Sequence, residues 1–65
     1  SNRASDFSLS KKEQEVLGLI REGCTYVEIA DKLNIALSTV QSHIKNIYSK
    51  LGVTNKMRAL QKVYG

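Results

Sequence analysis

Two capping boxes in close succession, Ser10-Lys11-Lys12-Glu13 and Thr25-Tyr26-Val27-Glu28, constrain this chain more than any other feature. In each, the hydroxyl can accept from the backbone N–H three residues on, while the glutamate reaches back to the N–H of the capping residue. Each box therefore starts a helix. Gly23 lies between them, where a left-handed residue normally closes a helix, so the first runs from Lys11 to about Glu22 and the second opens at once. Val16, Leu17 and Ile20 share one face of the first helix, and Cys24 is placed to pack back on Leu19. Gly18 inside this helix costs about 1 kcal/mol relative to Ala. Ile29, Ala30 and Leu33 face inward from the second, a segment of two to three turns.

The link Asn34-Ile35-Ala36 is too short for the chain to wander. A third periodic run follows, Leu37 to Leu51, in which Val40, Ile44, Ile47, Tyr48 and Leu51 form an apolar stripe. Such a helix spans about 22 Å at 1.5 Å per residue. Gly52 closes it, with Val53 placed against Tyr48. Thr54 or Asn55 can cap a last helix, Lys56 to about Val63, whose Ala59, Leu60 and Val63 make one stripe that Met57 and Tyr64 widen. A short helix, a tight turn and a longer helix make a helix-turn-helix, and the whole reads as an all-α, four-helix bundle containing that motif.

At 65 residues the chain holds one domain, and folding hides only about 60% of the surface of the extended chain. A content of 42% hydrophobic and 25% charged residues, with no Pro or Trp, is globular rather than disordered. A single cysteine, Cys24, supplies neither a disulfide framework nor a multi-thiolate zinc site, and suits a reducing cytoplasm. No apolar run is long enough to span a membrane. Ser1 to Asp6 are polar and aperiodic, and are read as a disordered linker or tag remnant before a domain covering 7–65. No signal peptide or lipidation motif follows them.

The formal charge of +4 is unevenly placed. Ser1 to Ala36 carry five basic and six acidic residues, whereas Leu37 to Gly65 carry Lys45, Lys50, Lys56, Arg58 and Lys62 with no acid. Such asymmetry points to a polyanionic partner. On the third helix the face opposite the stripe collects Ser38, Gln41, Ser42, Lys45 and Ser49. Solvated helix faces usually mix Glu with Lys for i,i+4 pairing, and acid is missing here. The amide, hydroxyl and ammonium groups of Gln41, Ser42 and Lys45 are those that read base edges in the major groove, which admits one helix. His43 has no second ligand at metal spacing, so packing or a phosphate hydrogen bond suits it better than catalysis. Cys24 fills a helix-end pocket more naturally than it acts as a nucleophile. Tyr48 and Tyr64 have the helical spacing of core and interface residues, not of a single-strand stacking platform. No enzymatic chemistry and no cofactor are indicated.

Leu9 to Leu17, Ile20, Gly23, Glu28-Ile29-Ala30 with Leu33, and the long string Thr39 to Val53 followed by Asn55 resemble the LuxR/GerE-type helix-turn-helix over about Phe7 to Val63. The resemblance implies a four-helix DNA-binding effector domain of a bacterial transcription regulator, commonly following a phospho-receiver or signal-binding domain and acting as a homodimer on repeated half-sites. It implies base contacts at Gln41, Ser42 and Lys45 from a third helix in the major groove. Phosphate contacts map onto Thr25, Tyr26, Thr39 and Lys56, and dimerisation onto Met57, Leu60, Gln61 and Tyr64. RNA polymerase is a further candidate partner.

The sequence departs from the family's common pattern at several of these positions. The family often has Lys at Gln41, Arg at Lys12 and Lys56, Asn at Tyr26 and Ser at Ala36. Gln41 shifts the preference from guanine towards adenine, and Lys56 gives up the bidentate geometry of Arg. Without a serine at Ala36 the third helix lacks its usual N-cap, for which Ser38 with Gln41 is a substitute two residues later. Two other readings stand beside DNA binding: a protein-interaction module that keeps the helix-turn-helix core, and a sigma-factor-like promoter-reading domain. The first does not require the acid-free face, and the Lys50-Leu51-Gly52-Val53 continuation and the fourth helix fit the LuxR/GerE pattern better than the second.

Overall fold

Every α-helix but one begins where a side chain accepts from its first free N–H groups. The structure, a computed structural model, describes residues 2–65. It contains helices α1 (Lys11–Arg21), α2 (Tyr26–Leu33), α3 (Leu37–Leu51) and α4 (Lys56–Tyr64), preceded by a single 3-10 turn over Ala4–Phe7. No strand occurs among the described residues, and the fold is an all-α helix-turn-helix.

Both capping boxes form. Glu13 N donates to Ser10 Oγ at 3.1 Å while Ser10 N donates to Glu13 Oε1 at 2.8 Å. The corresponding bonds between Thr25 and Glu28 measure 3.1 and 2.7 Å. Asn55 rather than Thr54 caps α4, its Oδ1 accepting from Arg58 N at 2.9 Å. Helix α3 is the exception. Ala36 holds the extended backbone of an N-cap, φ −69° and ψ 151°, but offers no side-chain acceptor. Ser38 does not take over, because the helix has already started at Leu37. The missing cap costs about 1 kcal/mol, and burial of a Val or Ile side chain contributes about 1.5–3 kcal/mol. With Val40, Ile44, Ile47 and Leu51 all buried, packing decides where α3 begins.

The first three helices close in the same way. Gly23, Asn34 and Gly52 take left-handed φ values of 92°, 55° and 69°. The next residue in each case donates back to the last turn: Cys24 N to Leu19 O, Ile35 N to Ala30 O and Val53 N to Tyr48 O, all at 3.0 Å. Asn34 shows how the short link of the helix-turn-helix is made, since its small amide tolerates the left-handed region better than most side chains.

Helix α3, about 22 Å long, packs against α1, α2 and α4. Val16, Leu17 and Ile20 of α1, Ile29 of α2, and Ala59 and Val63 of α4 complete the core around its stripe. Tyr48 is only half-buried, packed at the core margin.

The N-terminal segment requires a correction. Rather than forming a disordered linker, residues 3–6 join the fold. Arg3 N donates to Val63 O at 2.8 Å, Ala4 N donates to Asn2 Oδ1 at 2.8 Å, and Ala4 is 3% exposed beneath them. One small apolar residue among polar neighbours gives no periodic signal, so its burial follows from the tertiary packing. The tag-remnant reading of Ser1 lies outside the described residues.

Candidate nucleic-acid interface

Two of the five cations beyond Ala36 are already engaged within the fold. Lys50 Nζ lies 2.8 Å from Glu13 Oε1 and donates to Ser8 O at 3.2 Å. Lys62 Nζ donates to Leu51 O at 2.9 Å, which satisfies a carbonyl at the end of α3 and places positive charge at its negative pole. Among the described residues the ion pairs are Lys12–Glu15 and Lys50–Glu13. Lys45, Lys56 and Arg58 therefore carry charge that no nearby carboxylate cancels.

Glu13 is 5% exposed. Burial alone would raise its pKa, but the Lys50 ammonium and the Ser10 backbone and hydroxyl donors outweigh burial and hold the carboxyl below its ordinary value. Its ionised form locks the start of α1 to the end of α3. The polar face of α3 is thus supported from behind.

That face is open. Ser38, Gln41, Ser42, Lys45 and Ser49 are all exposed, opposite the buried stripe, and Thr39 is exposed beside them. The structure brings Gln41, Ser42 and Lys45 together on adjacent turns with no acidic residue on the helix. Lys56 is exposed at the first turn of α4.

At the start of α2 the two expected phosphate-contacting residues differ. Thr25 is exposed, and its hydroxyl accepts from Glu28 N. The Glu28 carboxyl beside it is held below its ordinary value by the Thr25 backbone N–H first and the Thr25 hydroxyl second. Tyr26 is half-buried against the core. Burial and then the neighbouring Tyr26 phenol push the Tyr48 hydroxyl up to about 12, so it stays neutral and helps set α2 against α3.

The four candidate dimerisation residues do not form a uniformly open face. Met57 is 78% exposed and Gln61 is exposed, whereas Leu60 packs against the core. Tyr64 is half-buried, with the Arg21 guanidinium 4.3 Å from its ring centroid. Burial raises its pKa, with Arg21 opposing. Arg21 was separated from Tyr64 by too much sequence for any local pattern to join them. His43 and Cys24 are half-buried, and no group of three His, Cys, Asp or Glu side chains among the described residues could hold a metal ion. No helix of the described residues is long and apolar enough to cross a membrane.

Residues 7–63 match the family described as bacterial regulatory proteins, luxR family. The chain is 43% identical over 54 residues to the HTH-type transcriptional regulator MalT of Yersinia pestis (strain Pestoides F), and 43% identical over 53 residues to MalT of Klebsiella pneumoniae subsp. pneumoniae. These alignments cover 83% and 82% of this chain but 6% of each regulator. Among solved structures it is similar to the response regulator ChrA of a heme-sensing two-component system. There the TM-score is 0.80 at 41% identity, covering 83% of this chain and 27% of that one. The chain therefore belongs to the luxR family of bacterial regulatory proteins, as a DNA-binding helix-turn-helix of transcription regulation.

Proposed function

We propose that residues 7–65 form a sequence-reading domain that places α3 in the major groove of double-stranded DNA. The observation that carries this is the exposed, acid-free face of Ser38, Gln41, Ser42, Lys45 and Ser49, backed by the buried Val40, Ile44, Ile47 and Leu51. Gln41, Ser42 and Lys45 read base edges, with Gln41 favouring adenine. Thr39, Lys56 and the exposed Thr25 fix the register on phosphates. Tyr26 joins them through the edge of its half-buried ring. Met57 and Gln61, with the exposed edges of Leu60 and Tyr64, form the contact between two copies. The two α3 helices then address half-sites about 34 Å apart. The setting is the cytoplasm, with RNA polymerase as the second macromolecular partner.

A binding selection from random duplexes, followed by anisotropy titration of the selected site, tests the reading. Gln41→Ala and Lys45→Ala are expected to relax preference at one or two positions, each by about 1–3 kcal/mol. Lys56→Ala is expected to weaken all sequences alike and reduce the slope of log affinity against log salt by about 0.9. Retention of both affinity and preference by Gln41→Ala and Lys45→Ala would remove α3 as the reader.

A further inference from the structure

An open pocket of about 580 Å³ lies where the loop between α3 and α4 meets the N-terminal segment. Arg3, Arg58 and Lys62 line it, with Thr54, Asn55 and Gln61 between them. Among the described residues no carboxylate lines this pocket, and neither guanidinium has a carboxylate within ion-pair distance. Lys62 is held in place by its bond to Leu51 O and lies 5.7 Å from the Phe7 ring centroid. Arg3 is anchored by its own N–H on Val63 O. The fold therefore brings Arg3 of the N-terminal segment to Arg58 and Lys62 of α4 around one cavity, and their mutual repulsion is relieved by an anion between them.

The chemistry of the lining selects the kind of anion. Guanidinium forks fit the paired oxygens of phosphate, and charge-assisted bonds of this type are about twice as strong as neutral ones. Asn55 Oδ1 is occupied by the Arg58 N–H, so the group it has left to offer is its NH2 donor. Thr54 and Gln61 add further neutral donors. We propose that this pocket binds a phosphate-type oxyanion, with Arg3 and Arg58 as the ligating forks and Lys62 as a fixed neighbouring charge. A phosphodiester of bound duplex and free inorganic phosphate share this chemistry. Because Arg3 precedes α1 and Arg58 belongs to α4, occupation fastens the N-terminal segment to the last helix. The site uses none of the α3 residues that read bases, so the two readings stand or fall separately.

Amide-resolved NMR titration of the chain with inorganic phosphate at low ionic strength, with chloride as the control anion, tests the site. The spectra also report whether each variant is folded. Saturable shifts are expected at Arg3, Thr54, Asn55 and Arg58, weakened about tenfold or more by Arg58→Gln or Arg3→Gln and unaffected by Lys11→Gln. Anisotropy titrations with duplex DNA at several salt concentrations separate the sources. A slope reduced by about 0.9 in Arg58→Gln identifies a DNA phosphate as the occupant. An unchanged slope beside a weakened phosphate titration identifies the free anion. If both Arg variants match the parent chain in the phosphate titration and in the salt slope, the proposal is overturned.

Discussion

Replacing Glu13 by Ala tests the tie between α1 and α3. The substitution removes the acceptor of Ser10 N at 2.8 Å and the partner of Lys50 Nζ at 2.8 Å, and leaves Lys50 with Ser8 O alone. The bond from Ser10 N is to a charged acceptor, a class that contributes about 1.5–3 kcal/mol. The Lys50 side chain is 39% exposed, so water replaces much of the lost partner and this part falls to about 0–1 kcal/mol. A loss of about 2–3 kcal/mol is expected. With a urea slope of about 1 kcal/mol/M for a small domain, the midpoint at neutral pH falls by about 2–3 M.

Acid sharpens the same test. The folded Glu13 carboxyl titrates below its ordinary value. Its ionisation therefore contributes stability that is fully present above the unfolded carboxylate's pKa, and that disappears as pH falls through the lowered folded value. Glu13→Gln keeps an oxygen for Ser10 N but cannot ionise. Its deficit against the parent chain is expected to be greatest at neutral pH and to shrink in acid. Urea titrations followed by helical circular dichroism across this range provide the measurement. Equal midpoints for Glu13→Ala and the parent at neutral pH, or a Glu13→Gln deficit unchanged in acid, would refute the reasoning.

Ala36→Ser supplies an acceptor at an N-cap whose backbone is already extended; a gain of about 1 kcal/mol is expected, read as a rise in melting temperature of about 4–8 °C. Gly18→Ala should also stabilise, by about 0.5–1 kcal/mol, because the added Cβ meets only Tyr64 Oη at 3.8 Å; a lower urea midpoint would mean that Tyr64 cannot accommodate it. Gly52→Ala is expected to lose about 1–2 kcal/mol in the same assay, since its φ of 69° is strained for any L side chain. Met57→Glu places two like charges across the proposed contact between copies, so sedimentation with a two-half-site duplex should show one protomer bound where the parent chain shows two, with the monomer's melting temperature unchanged.

What the sequence makes legible here is what local chemistry controls. Ser10, Thr25, Gly23 and Gly52 mark helix ends because capping and left-handed closure act within a few residues, and the α3 stripe is legible because its period is set by the helix itself. The polar face of α3 follows as its complement. The uses of Lys50 and Lys62 are different, because one pairs with Glu13 and the other with Leu51 O only after the helices have packed. Both count simply as positive charge in the sequence. Ala4 and the Arg21–Tyr64 contact were hidden for the same reason. At α3, absence of a cap at Ala36 leaves the local signal incomplete, and the buried side chains further along determine the boundary.

The bond between Arg3 N and Val63 O brings the two ends of the sequence into contact and makes chain order separable from architecture. A circular permutant that joins Gly65 to Asn2 through a few glycines and opens between Gly23 and Cys24 gives up the closing bond of α1, yet it can keep the packing of the four helices. In it α2 and α3 would come first and α1 last. The order in which the ribosome delivers the helices is then exchangeable, while the position of α3 in the finished domain is not.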